Sequence, residues 1–116
     1  MARVRDAFPI LLVADLERSV AFYRDGLGFT EEYGFEGFVQ LAVEGGKLGL
    51  AATDKRVDPS STAIWVYTDD VDALFAELTE AGAPVVAEPA DQPWGERLAS
   101  VADPDGYVVH MGAPGA

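Results

Sequence analysis

Residues Asp91 to Met111 read DQPWGERLASVADPDGYVVHM, and this stretch sets the fold. Leu98 to Ala102 and Tyr107 to Met111 are two apolar runs of strand length. Between them lies Asp103-Pro104-Asp105-Gly106, a composition that turns the chain. The two runs therefore form a hairpin. Ahead of it, Pro93 and Gly95 constrain the backbone on either side of Trp94. A bulky ring held this way either plugs the end of a sheet or is presented to a ligand. The stretch alone leaves both open.

Working back from the hairpin, Pro84 to Glu88 is a short strand, preceded by a helix that Asp69 or Asp70 caps. Val71, Leu74, Phe75 and Leu78 form the inward face of that helix, and Gly82 stops it. Ala63 to Thr68 is the strand before it. The polar segment Thr53 to Thr62 (TDKRVDPSST) reads as a linker. Its Ser60-Ser61-Thr62 has no histidine nearby in sequence to activate a hydroxyl.

The same order occurs upstream. Phe8 to Val13 is a strand with Pro9 near its start. Asp15 caps a helix whose Leu16, Val20, Tyr23 and Leu27 share one face, and Gly26 and Gly28 stop it. Phe29 to Tyr33, Phe38 to Val43 and Lys47 to Ala52 follow as strands, with Gly45-Gly46 as the turn into the last. Asp15 and Asp70 are 55 residues apart, and Gly46 and Gly106 are 60 apart. The difference is assigned to the loop carrying Trp94. The predicted fold class is α+β: two βαβββ modules, about 7–52 and 63–112, in one domain over 1–116 with a linker at 53–62.

Composition narrows the function. The 20 acidic and 8 basic residues give a net charge of −12, which disfavours nucleic acid and favours a cationic partner. With no cysteine there is no disulfide frame, thiolate metal site or cysteine nucleophile. No apolar run reaches transmembrane length, so a cytoplasmic protein without a membrane partner is expected.

ADLERSVAFYRDGLGF at 14–29, followed by a second module ending in DPDGYVVHM, resembles the vicinal oxygen chelate superfamily. That superfamily includes glyoxalase I, extradiol dioxygenases, fosfomycin-resistance enzymes and bleomycin-resistance proteins. Its enzymes hold a divalent metal with one donor from each of four strands. The resemblance puts those positions at Phe8, near Gly49, at Ala63 and at His110, and His110 alone offers a donor. No catalytic metal or other cofactor, and no enzyme activity, is therefore expected. On its residues alone, His110 reads as a half-buried strand histidine satisfied by a neighbour.

The sequence is similar in particular to the bleomycin-resistance proteins, through Ala7-Phe8-Pro9, Asp15, Leu27-Gly28-Phe29, Ala63-Ile64-Trp65-Val66, Gln92-Pro93-Trp94-Gly95 and Val109-His110. The resemblance implies drug sequestration in a groove completed in a homodimer, with Pro9 as the hinge of an exchanged N-terminal strand. By position, Glu32, Tyr33 and Phe38 would form one wall, and Trp65 and Trp94 would supply stacking rings. Gly95 and His110 belong to the same matched segments. Alternation adds Tyr67 beside Trp65, with Ile64 and Val66 facing the helix. The expected ligand is an aromatic, cationic antibiotic of the bleomycin type or a planar natural product such as an enediyne. Small residues at Leu48, Gly49, Leu50, Ala51 and Ala52 depart from the family's aromatic fourth strand. The alternative is a divergent metal-dependent lyase, isomerase or dioxygenase-like enzyme.

Overall fold

The structure is a computed structural model and describes residues 2–114. The chain divides after Val57 into two compact units. Each is a four-stranded sheet with one helix laid against it.

In the first unit, β1 (Ile10–Val13) leads to α1 (Leu16–Ala21), then β2 (Thr30–Phe35), β3 (Phe38–Val43) and β4 (Gly46–Ala52). The sheet order is β1-β4-β3-β2, and β1 runs parallel to β4. Asp15 caps α1, its carboxylate accepting from the Arg18 amide at 3.2 Å. The helix widens into a π-helical turn over Phe22–Gly26, and Gly28, at φ 82°, ends it. Val20 and Tyr23 are buried with Leu11, Val13, Leu41, Leu48 and Leu50. The Tyr23 ring meets Phe22 and Phe29 edge-on, at 5.0 and 5.9 Å between centroids.

The second unit repeats the plan with β5 (Ala63–Tyr67), α2 (Val71–Glu80), β6 (Val85–Asp91), β7 (Glu96–Ala102) and β8 (Val108–Pro114). Its sheet order is β5-β8-β7-β6, again with the first and last strands parallel. Asp70 is the cap of α2, accepting from the Ala73 amide at 3.0 Å. Val71 and Leu78 are buried, as are Ala99, Val101, Val109 and Met111 of the sheet. Arg97 reaches from β7 to Asp72 of α2 at 2.7 and 2.9 Å and to Asp91 at 3.2 Å. Arg97 holds the Asp72 carboxyl below the usual carboxylate range.

Most strand boundaries agree with the sequence reading to within one residue; β1 begins two residues later than expected, β7 begins two residues earlier and β8 ends three residues later, and two further differences have clear causes. β2 continues two residues past Tyr33 to Phe35, because the Phe35–Phe38 pair keeps it in register with β3. β6 runs to Asp91, carried past Pro89 by two irregularities in its pairing with β7. The extra length of the second module is therefore shared between β6 and a tight corner at 92–95, not confined to a loop around Trp94.

The Asp103 turn is fixed by one carboxylate oxygen, which accepts from the Asp105 amide at 3.0 Å and the Tyr107 amide at 2.9 Å. Asp103 and Tyr107 are both buried, so losing the acceptor strands donors away from water. Asp103→Ala is expected to cost about 1–3 kcal/mol, read as a lower urea midpoint. A midpoint equal to wild type would show that water replaces the carboxylate without loss.

Candidate functional site

Residues paired across neighbouring strands share a sheet face, so the register assigns the face turned away from each helix. In the first unit that face carries Ile10 and Leu12 of β1, Tyr33 and Phe35 of β2, Phe38 and Gln40 of β3, and Gly49 and Ala51 of β4. Ile10, Leu12, Tyr33 and Phe35 are exposed. Phe38 is not: it is 8% exposed, stacked under Phe35 at 5.1 Å and beside Tyr33 at 6.1 Å. It forms the floor of this face. Gly49 makes that possible, because a Cβ there would lie 2.9 Å from the Phe38 ring and 3.0 Å from Ile10. Glu32 is already engaged, accepting from the Gln40 side-chain amide at 2.8 Å. Nearby, Lys47 bonds Asp6 at 2.6 Å; that bond, with lesser contributions from Glu32 and Tyr33, raises the lysine above its ordinary value. Pro9 lies just before β1, and its carbonyl accepts from the Gly49 amide at 2.9 Å.

The corresponding face of the second unit is aromatic at one edge. Trp65 and Tyr67 of β5 lie on it with His110 and Gly112 of β8 and with Leu98 and Ser100 of β7. Trp65 is 45% exposed and Tyr67 68%. Their ring centroids are 6.4 Å apart, and Trp65 lies 5.1 Å from the His110 ring. Gly112 lets both rings lie close to the backbone, since a Cβ there would sit 3.3 Å from each. His110 Nδ1 is 2.7 Å from the Ser100 hydroxyl. A Ser–His pair at this distance can activate a nucleophile, but Ser100 is 2% exposed and offers its oxygen to no substrate carbonyl.

Trp94 stands at the β6–β7 corner, 59% exposed. Gly95 takes φ 96°, which only glycine adopts freely, and its amide closes the turn onto the Gln92 carbonyl at 3.0 Å. The indole Nε1 donates to Glu96 Oε1 at 2.7 Å, so the ring is held in one orientation beside a carboxylate. Within the second unit, Trp65, Tyr67 and His110 thus form one cluster, and Trp94 belongs to a separate corner.

The profile of the Glyoxalase/Bleomycin resistance protein/Dioxygenase superfamily matches residues 6–111. The chain belongs to this superfamily. TnmS3, an antibiotic binding protein from Streptomyces sp. CB03234, has 32% identity over 98% of both chains and a TM-score of 0.74. A protein of unknown function from Agrobacterium tumefaciens str. C58 has 26% identity over 97% of this chain and 95% of that one, with a TM-score of 0.82. The Mycobacterium bovis protein named "Putative glyoxylase CFP32" is 38% identical over 114 residues, 90% of this chain and 42% of that protein. The chain spans about two-fifths of the length of the curated mycobacterial relatives it matches.

Enzymes of the superfamily imply a divalent metal, and this chain's residues can be tested against one. Gly49 pairs with Ile10 as His110 pairs with Trp65, so the two occupy equivalent places in their sheets. Phe8, Gly49 and Ala63 carry no donor atom in their side chains, and His110 has one ring nitrogen engaged by Ser100. Among the described residues no group of three or more His, Cys, Asp or Glu could hold a metal ion. The side chains present do not fit the superfamily's metal.

Among the residues of these faces not picked out from sequence are Ile10, Leu12, Phe35 and Ser100. For Phe35 the signal existed, since it lies two residues beyond Tyr33 and strand alternation puts it on the same face. Ser100 carried no signal. It acquires a role through its register opposite His110, which only the β7–β8 pairing supplies.

Proposed function

We propose that this chain binds and sequesters a planar aromatic, cationic small molecule of the antibiotic class, without chemical conversion. The observation that carries the reading is the cluster of Trp65, Tyr67 and His110, whose rings lie on the sheet face away from α2 and expose large π surface. The likeness to an antibiotic binding protein over 98% of both chains supports it, as does the absence of donor side chains at Phe8, Gly49 and Ala63. Each aromatic contact adds about 0.5–1.5 kcal/mol beyond area burial, and a cation over such rings a further ~0.5–2 kcal/mol. Several of these terms in a preformed site reach sub-micromolar affinity without catalysis. In this reading Glu32, Tyr33 and Phe38 on the first unit and Trp65, Tyr67, Trp94, Gly95 and His110 on the second are ligand-binding residues. The reading includes a homodimer, with Pro9 as the hinge of the N-terminal strand.

The net charge of −12 gives the reading a salt dependence. Tryptophan fluorescence titrated with bleomycin-type and enediyne ligands should saturate. Binding of the cationic members should weaken several-fold when salt shortens the Debye length from about 30 Å at 0.01 M to about 3 Å at 1 M. No saturation with any such ligand would overturn the reading. The superfamily's enzymes, and the relative named as a glyoxylase, motivate a second reading: a divergent metal-dependent lyase, isomerase or dioxygenase-like enzyme. Stoichiometric zinc, manganese, iron or nickel that survives dialysis would decide for it.

A further inference from the structure

The Ser100–His110 pair determines more than a contact. Ser100 is buried, and among the described residues its hydroxyl has one hydrogen-bond partner, His110 Nδ1 at 2.7 Å. A hydroxyl proton buried without an acceptor is costly, so the hydroxyl donates and Nδ1 accepts. A neutral imidazole carries one N–H, and with Nδ1 accepting, that N–H is on Nε2. No partner for Nε2 is present among the described residues, and no buried polar side-chain atom in them lacks one. Nε2 is therefore open to a ligand.

The surroundings make this donor selective. The His110 ring sits 5.1 Å from Trp65, and Trp65 sits 6.4 Å from Tyr67. A planar molecule stacked on Trp65 would bring its edge to the His110 ring, which is tilted 43° from the indole. A hydrocarbon edge would displace water from the donor and leave it unpaired, whereas an oxygen acceptor would satisfy it. We propose that Ser100 locks His110 as the Nε2–H tautomer and so selects planar ligands bearing an aryl carbonyl or quinone oxygen. This rests on the sequestration reading and names a chemical feature of the ligand.

Two probes test it: anthraquinone bearing a trimethylammoniomethyl tail, and anthracene bearing the same tail. They share ring footprint and charge and differ in the two carbonyl oxygens. Calorimetric titration of the full chain should give a quinone preference of about 5- to 20-fold, the range of one discriminating hydrogen bond. His110→Phe, which keeps a ring beside Trp65 but carries no N–H, should abolish the preference for the quinone over the anthracene. His110→Gln, which restores an N–H donor at similar reach, should recover part of it.

The tautomer is read independently of any ligand. His110 is the sole histidine, so a long-range proton–nitrogen NMR spectrum shows one imidazole. It should display the Nε2–H pattern in wild type and a shift towards the mixed pattern in Ser100→Ala. An Nδ1–H pattern in wild type would overturn the proposal. So would equal binding of both probes, which would leave sequestration standing. Binding of neither probe would overturn both readings.

Discussion

Replacing Trp65 with alanine is expected to weaken binding of a planar cationic ligand by about 30- to 150-fold. The figure corresponds to about 2–3 kcal/mol, typical for truncating a central aromatic anchor. Trp65 is placed for that role. It touches His110 on one side and Tyr67 on the other, and its ring lies over Gly112, where no side chain lifts it from the sheet. Removing it takes away stacking area and breaks the continuity between the two remaining rings. Because Trp65 is already 45% exposed, the fold loses less than a buried ring would cost, and far-ultraviolet circular dichroism should be unchanged. Trp65→Phe should recover most of the affinity, since a smaller ring still stacks. Trp94→Ala is expected to have a smaller but measurable effect, because Trp94 contributes one ring, oriented by Glu96, at a separate corner. The chain has two tryptophans, so each variant also reports which ring the ligand quenches. Affinity within twofold of wild type for both variants would remove the second unit from the binding site.

The contrast between Trp65 and Phe38 shows what the sequence could and could not convey. Ile64-Trp65-Val66-Tyr67 alternates aliphatic and aromatic residues, and a helix follows at once, so the side facing each neighbour could be read from period two alone. The caps Asp15 and Asp70, the β3 boundaries and the repeat of the module were legible for the same reason: each depends on local chemistry. Phe38 also alternates correctly and does lie on the face away from α1. Its burial depends instead on Phe35 arriving from β2 and on Gly49 leaving room in β4, contacts set by register across three strands. The link between Ser100 and His110 is of this kind as well. Side-chain periodicity assigns a residue to a face, but which residue covers which is fixed by strand pairing, and the two bulges of β6 show how easily that escapes a linear pattern.

Phe38→Ala should produce the largest loss of stability on these sheet faces, about 3–5 kcal/mol, the usual cost of deleting a buried phenylalanine ring. The ring is the floor on which Phe35 stacks and against which Tyr33 leans, and together with Ile10 it fills the space above Gly49. A cavity there cannot close easily, because a strand backbone lies beneath it and its neighbours are paired in register on both sides. A fall in the urea midpoint at unchanged slope is the expected signature. Phe38→Leu separates this structural role from a direct one. A branched aliphatic side chain fills most of the volume at a cost of less than about 1.5 kcal/mol but removes the π surface. If Phe38 acts only as the floor, Phe38→Leu binds an aromatic ligand nearly as wild type does. If affinity instead falls tenfold while the fold holds, the ring itself contacts ligand, and Tyr33 and Phe35 must move aside to admit it.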